Sequence, residues 1–116
     1  MTFFPLFHNT NTLKALLIGG GNVATRRAKS LIQAGVACDV MATSVSEDLV
    51  YLIESSGGGV TIDAYATDEV MLGYSLILAL TDDRAVNKQV AIDAKSMGLL
   101  VNVADSPNDG NVIFGA

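Results

Sequence analysis

Cysteine is almost absent: Cys38 stands alone in the chain. It has no partner for an internal disulfide and cannot build a metal cluster, so the chain fits a reducing compartment, and the cytoplasm is the expected location. Proline is nearly as scarce, with Pro5 and Pro107 the only two. No proline-rich linker or long sequence repeat divides the chain. Basic charge is also short. Seven Lys and Arg against 12 Asp and Glu give a net charge of −5, and a surface of that sign repels phosphate backbones, so nucleic acid is excluded as an expected partner. The longest aliphatic stretches, such as Leu76 to Leu80, fall far below the roughly 18 residues that cross a bilayer, and Met1 to Phe7 has no basic segment of a signal peptide. The expectation is a soluble protein that neither enters a membrane nor carries a leader. His8 is the only histidine. It lacks the partners that catalysis or metal ligation needs and reads as solvated or packed, so no metal site is expected.

What is present is a core. Half of the 116 residues are apolar and 16% are charged, a balance that folds, and the length is that of one domain. Leu13 to Ile18 is a short apolar run that breaks off at Gly19, Gly20 and Gly21, as a buried strand entering a glycine turn does. Asn22 then reads as the cap of a helix whose buried stripe is Ala24, Ala28 and Leu31 and whose stop is Gly35. A second strand is expected over Val36 to Ala42, and a second helix over Glu47 to Ser55. Gly57 to Gly59 must turn. Val60 to Tyr65 reads as strand three, Asp68 to Leu72 as a helical turn, and Ser75 to Leu80 as a strand covered on both faces. Val86, Val90, Ala94 and Met97 mark a helix that starts after Thr81, Asp82 and Asp83 and ends at Gly98. Leu99 to Ala104 is strand five, followed by an Asp105-Ser106-Pro107 turn.

Strands alternating with helices through short loops pair in parallel by right-handed crossovers. The expected fold is therefore α/β: a doubly wound, Rossmann-type parallel sheet of about five strands, with room for a short sixth, and helices on both faces. Ligands of such sheets bind beyond the carboxyl ends of the strands, where strand order reverses. That rule gathers the loops after strands one, two, four and five around one crevice.

Gly19, Gly21 and Ala24 satisfy the dinucleotide-binding spacing G-x-G-x-x-G/A, in which the glycines allow a tight turn and close approach of a pyrophosphate to the backbone, and the small third residue allows close helix packing. The helix start adds free N–H groups and a favourable dipole. One part of the pattern fails. A ribose-binding acid is expected at the tip of strand two, where Met41, Ala42, Thr43 and Ser44 stand instead. Thr43 and Ser44 can hydrogen-bond a ribose or adenine edge, whereas Asp39 lies inside the strand. Asp82 and Asp83 read first as helix N-caps, Thr81 as a residue on the nicotinamide side, and Asn87 as an organiser of its loop. Asp105 reads either as turn chemistry or as a carboxylate placed to accept a proton beside the crevice. Cys38 is a small core residue, and Arg26, Arg27 and Lys29 form a solvated face from which an arginine could reach an anion.

The segment Leu17-Ile18-Gly19-Gly20-Gly21-Asn22-Val23-Ala24 with Arg26-Arg27-Ala28 resembles the opening of the siroheme synthase N-terminal domain, the precorrin-2 dehydrogenase family. Pro5-Leu6-Phe7 before strand one, Ala79-Leu80-Thr81-Asp82-Asp83 with Val86 and Asn87, and Asn102-Val103-Ala104-Asp105-Ser106-Pro107 also match in the family's order, so the likeness covers essentially the whole chain. The resemblance implies an NAD-dependent dehydrogenase that oxidises precorrin-2 to sirohydrochlorin, in some members also a ferrochelatase. It implies Asp105 as the catalytic residue and cofactor contacts at Asn22, Val23, Thr43 and Ser44, beside the Gly19, Gly20 and Gly21 loop and Thr81 and Asp82. The family also lacks the acid at the tip of strand two.

The resemblance further implies a homodimer in the full-length form and, after this domain, a dimerisation segment and a helical domain that residues 1–116 do not contain. The apolar stretch Val112 to Ala116 reads as a domain edge and association surface. A polycarboxylate such as precorrin-2 needs Arg and Lys around it, which an acidic domain supplies poorly. The competing expectation is a non-enzymatic NAD-sensing module. Such modules keep the strand-two acid and have no use for the Asn102 to Pro107 turn, which favours the enzyme.

Overall fold

The computed structural model describes residues 2–115, so Met1 and Ala116, the two ends of the expected domain, lie outside the described residues. Five strands, β1 (Lys14–Ile18), β2 (Ala37–Ala42), β3 (Val60–Ile62), β4 (Leu76–Ala79) and β5 (Leu100–Val103), form one sheet in the order β3-β2-β1-β4-β5. All four pairings are parallel. The order reverses at the central β1, which pairs β2 on one side and β4 on the other. This is the expected doubly wound sheet.

Alternate side chains of β1 enter two cores. Ala15 and Leu17 join Val40, Leu78, Leu49 and Ile53 under helices α1 (Asn22–Gln33) and α2 (Glu47–Ser55). Leu16 and Ile18 join Met71, Ile77, Val90 and Val101 under helix α3 (Arg84–Ser96). Truncating such a side chain to alanine costs about 2–5 kcal/mol, so the two cores hold the sheet from both faces. Helices α1 and α3 stop where glycine was expected to stop them, at Gly35 (φ 89°) and Gly98 (φ 73°). Val36 and Leu99 then donate their N–H groups back to Leu31 and Ala94, at 2.9 and 3.0 Å. That bond explains why β2 begins at Ala37 and not at Val36.

Two segments differ from the sequence reading. β3 ends at Ile62, three residues before the expected Tyr65, because the Tyr65 hydroxyl donates to Asp93 of α3 and draws the chain off the sheet edge. Among the described residues no sixth strand forms beside β5. Asn111 covers that edge with its side chain: Oδ1 accepts the Val101 N–H at 2.7 Å and Nδ2 donates to the Leu99 carbonyl at 3.0 Å. Beyond it, Val112 and Phe114 turn inward against the α1 and α2 core, while Ile113 is exposed. Two residues of the expected C-terminal association surface are therefore packed onto the domain itself, with the Arg27 guanidinium 4.3 Å from the Phe114 ring centre. No helix among the described residues is long and apolar enough to cross a membrane.

Candidate functional site

The turn leaving β1 sits between the tips of its two neighbours. Gly19 has φ 140°, and a Cβ there would lie 2.6 Å from the Leu80 carbonyl oxygen. At Gly20 a Cβ would lie 2.0 Å from the Ser44 oxygen, and the Gly20 carbonyl accepts the Ser46 N–H at 3.0 Å. Both glycines are required by the protein's own packing. Gly21 is different: its φ of −100° is open to any residue, and a Cβ would meet nothing within 4 Å. The space beside it belongs to a crevice of about 830 Å³, within the range of ligand clefts.

Gly21, not Asn22, is the N-cap of α1, and no side chain accepts a hydrogen bond from the first turn. This corrects the expected role of Asn22, which is the first helical residue. With no acid in that turn either, the positive end of the helix faces the crevice ready for an anion. The open side of Gly21 and the uncapped helix start together fit a dinucleotide's pyrophosphate.

All nine positions expected to contact a cofactor, Gly19, Gly20, Gly21, Asn22, Val23, Thr43, Ser44, Thr81 and Asp82, line this one crevice. The loop after β4 is fixed from below by Asn87, which is 1% exposed. Its Oδ1 accepts the Thr81 N–H at 3.1 Å and the Thr81 hydroxyl at 2.6 Å, and its Nδ2 donates to the Thr81 carbonyl at 2.9 Å. Asp83 is the N-cap of α3, accepting the N–H groups of Ala85 and Val86 at 2.9 and 3.3 Å. Asp82 makes no such cap and is exposed at the crevice.

Asp39 takes no part. It accepts the Gly59 N–H at 2.8 Å and the Tyr74 hydroxyl at 2.6 Å, with Lys14 Nζ 4.0 Å away. Burial, then the bond to Asp39, raises Tyr74 above the usual phenol range, so it remains a donor there. The sequence reading missed a third wall, Asp63, Ala64 and Tyr65. Its signal was hidden by the strand expected to run through it. Tyr65 is likewise held protonated, by burial first and then by its bond to Asp93.

Asp105 lies outside the crevice. It lines a neighbouring pocket of about 330 Å³ on the other side of the α3 start, with Arg84, Ala85, Asn87, Lys88, Ser106 and Asp109. The four loops expected around one crevice thus divide between two depressions that share Asn87's helix as a wall. Arg84 Nε stands 3.9 Å from Asp105 Oδ2, across a largely exposed pair. His8 is exposed, with Nδ1 3.0 Å from the Asn9 carbonyl.

Residues 6–116 match a protein family described as "Putative NAD(P)-binding". The chain belongs to this family. Its similarity to two curated relatives, both named "Siroheme synthase", of Pseudomonas fluorescens and Pseudomonas aeruginosa, is 40% identity over all 116 residues. A solved structure named "SirC, precorrin-2 dehydrogenase" superposes with a TM-score of 0.83 at 33% identity, over 98% of this chain and 55% of that one. The likeness seen in the glycine loop and the Asn102 to Pro107 turn is borne out, as is the doubly wound fold of this NAD(P)-binding domain. The chain spans about a quarter of the length of the siroheme synthases, 25% in both cases.

Proposed function

We propose that this NAD(P)-binding domain carries the cofactor in the oxidation of precorrin-2 to sirohydrochlorin. The observation that carries the reading is the open side of Gly21 at the uncapped start of α1, in a crevice that shares α3 as a wall with the pocket holding Asp105. NAD+ bound in the crevice supplies the hydride acceptor. The chain's residues do the rest. The N–H groups opening α1 hold the pyrophosphate, Thr43 and Ser44 bind the adenosine ribose, and Asn87 holds Thr81 in place on the nicotinamide side. Asp105 accepts the proton that the macrocycle loses as its hydride departs, which balances the two-electron oxidation. The SirC match and the siroheme synthase relatives support this assignment.

NAD+ is favoured over NADP+ by charge. Among the described residues, no Lys or Arg lines the crevice, while Asp63, Asp82 and Asp83 do. A 2′-phosphate would find repulsion there in place of a cation.

The test is turnover of precorrin-2 with NAD+, followed by NADH absorbance and the sirohydrochlorin spectrum. Asp105→Ala is expected to lower kcat by about 100-fold or more, the range of general-base losses, with NAD+ affinity unchanged. Unchanged turnover in Asp105→Ala would remove that residue's role, and failure of the enzyme to oxidise precorrin-2 would remove the reading.

A further inference from the structure

Two basic residues sit where helix energetics disfavour them. Arg84 is the first residue of α3, at the positive end of its dipole, and Lys88 follows four residues later on the same face. Like charges at that spacing repel. Where the other helix ends carry a dipole-compensating charge, its sign is the favourable one, with Glu47 and Asp48 opening α2 and Lys95 closing α3, while α1 carries none at either end. In a chain of net charge −5 with seven basic residues, both misplaced cations line the pocket of Asp105. Their counter-charges there are Asp105 and Asp109. The contact of Arg84 with Asp105, at 3.9 Å, is too long for a hydrogen bond, and the arginine side chain is 81% exposed. Its planar fork is left available for a bidentate carboxylate.

We infer, resting on the function proposed above, that Arg84 and Lys88 form a clamp for one carboxylate arm of the tetrapyrrole. The arm takes Arg84 as its partner and draws that cation from Asp105, leaving the Asp105 carboxylate free to accept the proton. Binding of the correct polyanion thereby prepares the base.

Two measurements on the same proteins test the clamp. Steady-state kinetics with precorrin-2 and NAD+ is run beside direct absorbance titration with sirohydrochlorin, for Arg84→Gln, Lys88→Gln, the double variant, and the charge-retaining Arg84→Lys and Lys88→Arg. The expected result is a rise of about tenfold in KM and in the sirohydrochlorin Kd for each neutral variant, more for the double, with NAD+ affinity unchanged. The charge-retaining variants recover most of the loss at Lys88 and part of it at Arg84, where the fork is missing. Equal sirohydrochlorin binding by the wild type and the double variant overturns the clamp while leaving the dehydrogenase reading intact. A wild type that binds NAD+ but neither precorrin-2 nor sirohydrochlorin overturns both.

Discussion

The crevice over β1 and β2 is built from backbone, and the pocket beside α3 is built from charged side chains. In the crevice, Gly19 and Gly20 bring chain segments to distances at which no Cβ fits, and the uncapped N–H groups of α1 open onto it beside Thr43, Ser44 and Thr81. Across α3, Arg84, Lys88 and Asp105 reach out from exposed positions, and only a 3.9 Å ion pair links them. A backbone site is rigid because the fold sets it, and it recognises a chemical group common to many ligands. A side-chain site costs the fold little to change, so specificity for one substrate belongs there.

Substitutions in the glycine turn carry the largest expected effects. Gly20→Ala puts a methyl onto the Ser44 carbonyl, at a position fixed by the Ser46 hydrogen bond, and is expected to destabilise the fold by about 3 kcal/mol or more in chemical denaturation. Its neighbour separates folding from binding. Gly21→Val fills only open space, so stability should change by about 1 kcal/mol at most while NAD+ affinity drops by about 100-fold, read by calorimetry. A Gly21→Val protein that binds NAD+ normally would place the pyrophosphate elsewhere.

Asn87 stands on the wall between the two sites. Asn87→Ala strips the Thr81 N–H and carbonyl of their buried partners and should cost about 2 kcal/mol in thermal or chemical unfolding. It should also weaken NAD+ binding, because the Thr81 loop is then unfixed.

The smallest effect is expected in β2, whose tip bounds the crevice alone. Burial, reinforced by the charge of Asp39, pushes the Cys38 thiol up to about 12. A folded value above the ordinary one, 9.0, means a contribution fully present below that pH and lost as pH rises toward 12. Wild-type stability should therefore fall by about 1 kcal/mol more than that of Cys38→Ala between about pH 9 and 10.

Legibility in the sequence follows the same division. The sheet, its order of elements and the nine crevice positions could be read because glycine spacing, helix stops and apolar runs are local signals. Asp105's pocket could not. Arg84 and Asp105 meet only because α3 carries the chain over the sheet from β4 to β5, and no local pattern marks an exposed arginine as the partner of a distant aspartate. Asp63 and Tyr65 were hidden for a related reason, since a tyrosine bonded to Asp93 on another element ended β3 early. The Asn22 cap failed because Gly21 takes the cap position and no side chain closes the helix start.

Amide NMR titration with NAD+ and with NADP+ shows whether the glycine crevice is the cofactor site. Saturable shifts are expected at Gly19 to Val23, Thr43, Ser44 and Thr81 to Asp83, with NAD+ binding the tighter of the two. Shifts centred on Arg84, Lys88 and Asp105, or none at the glycine turn, would contradict this expectation.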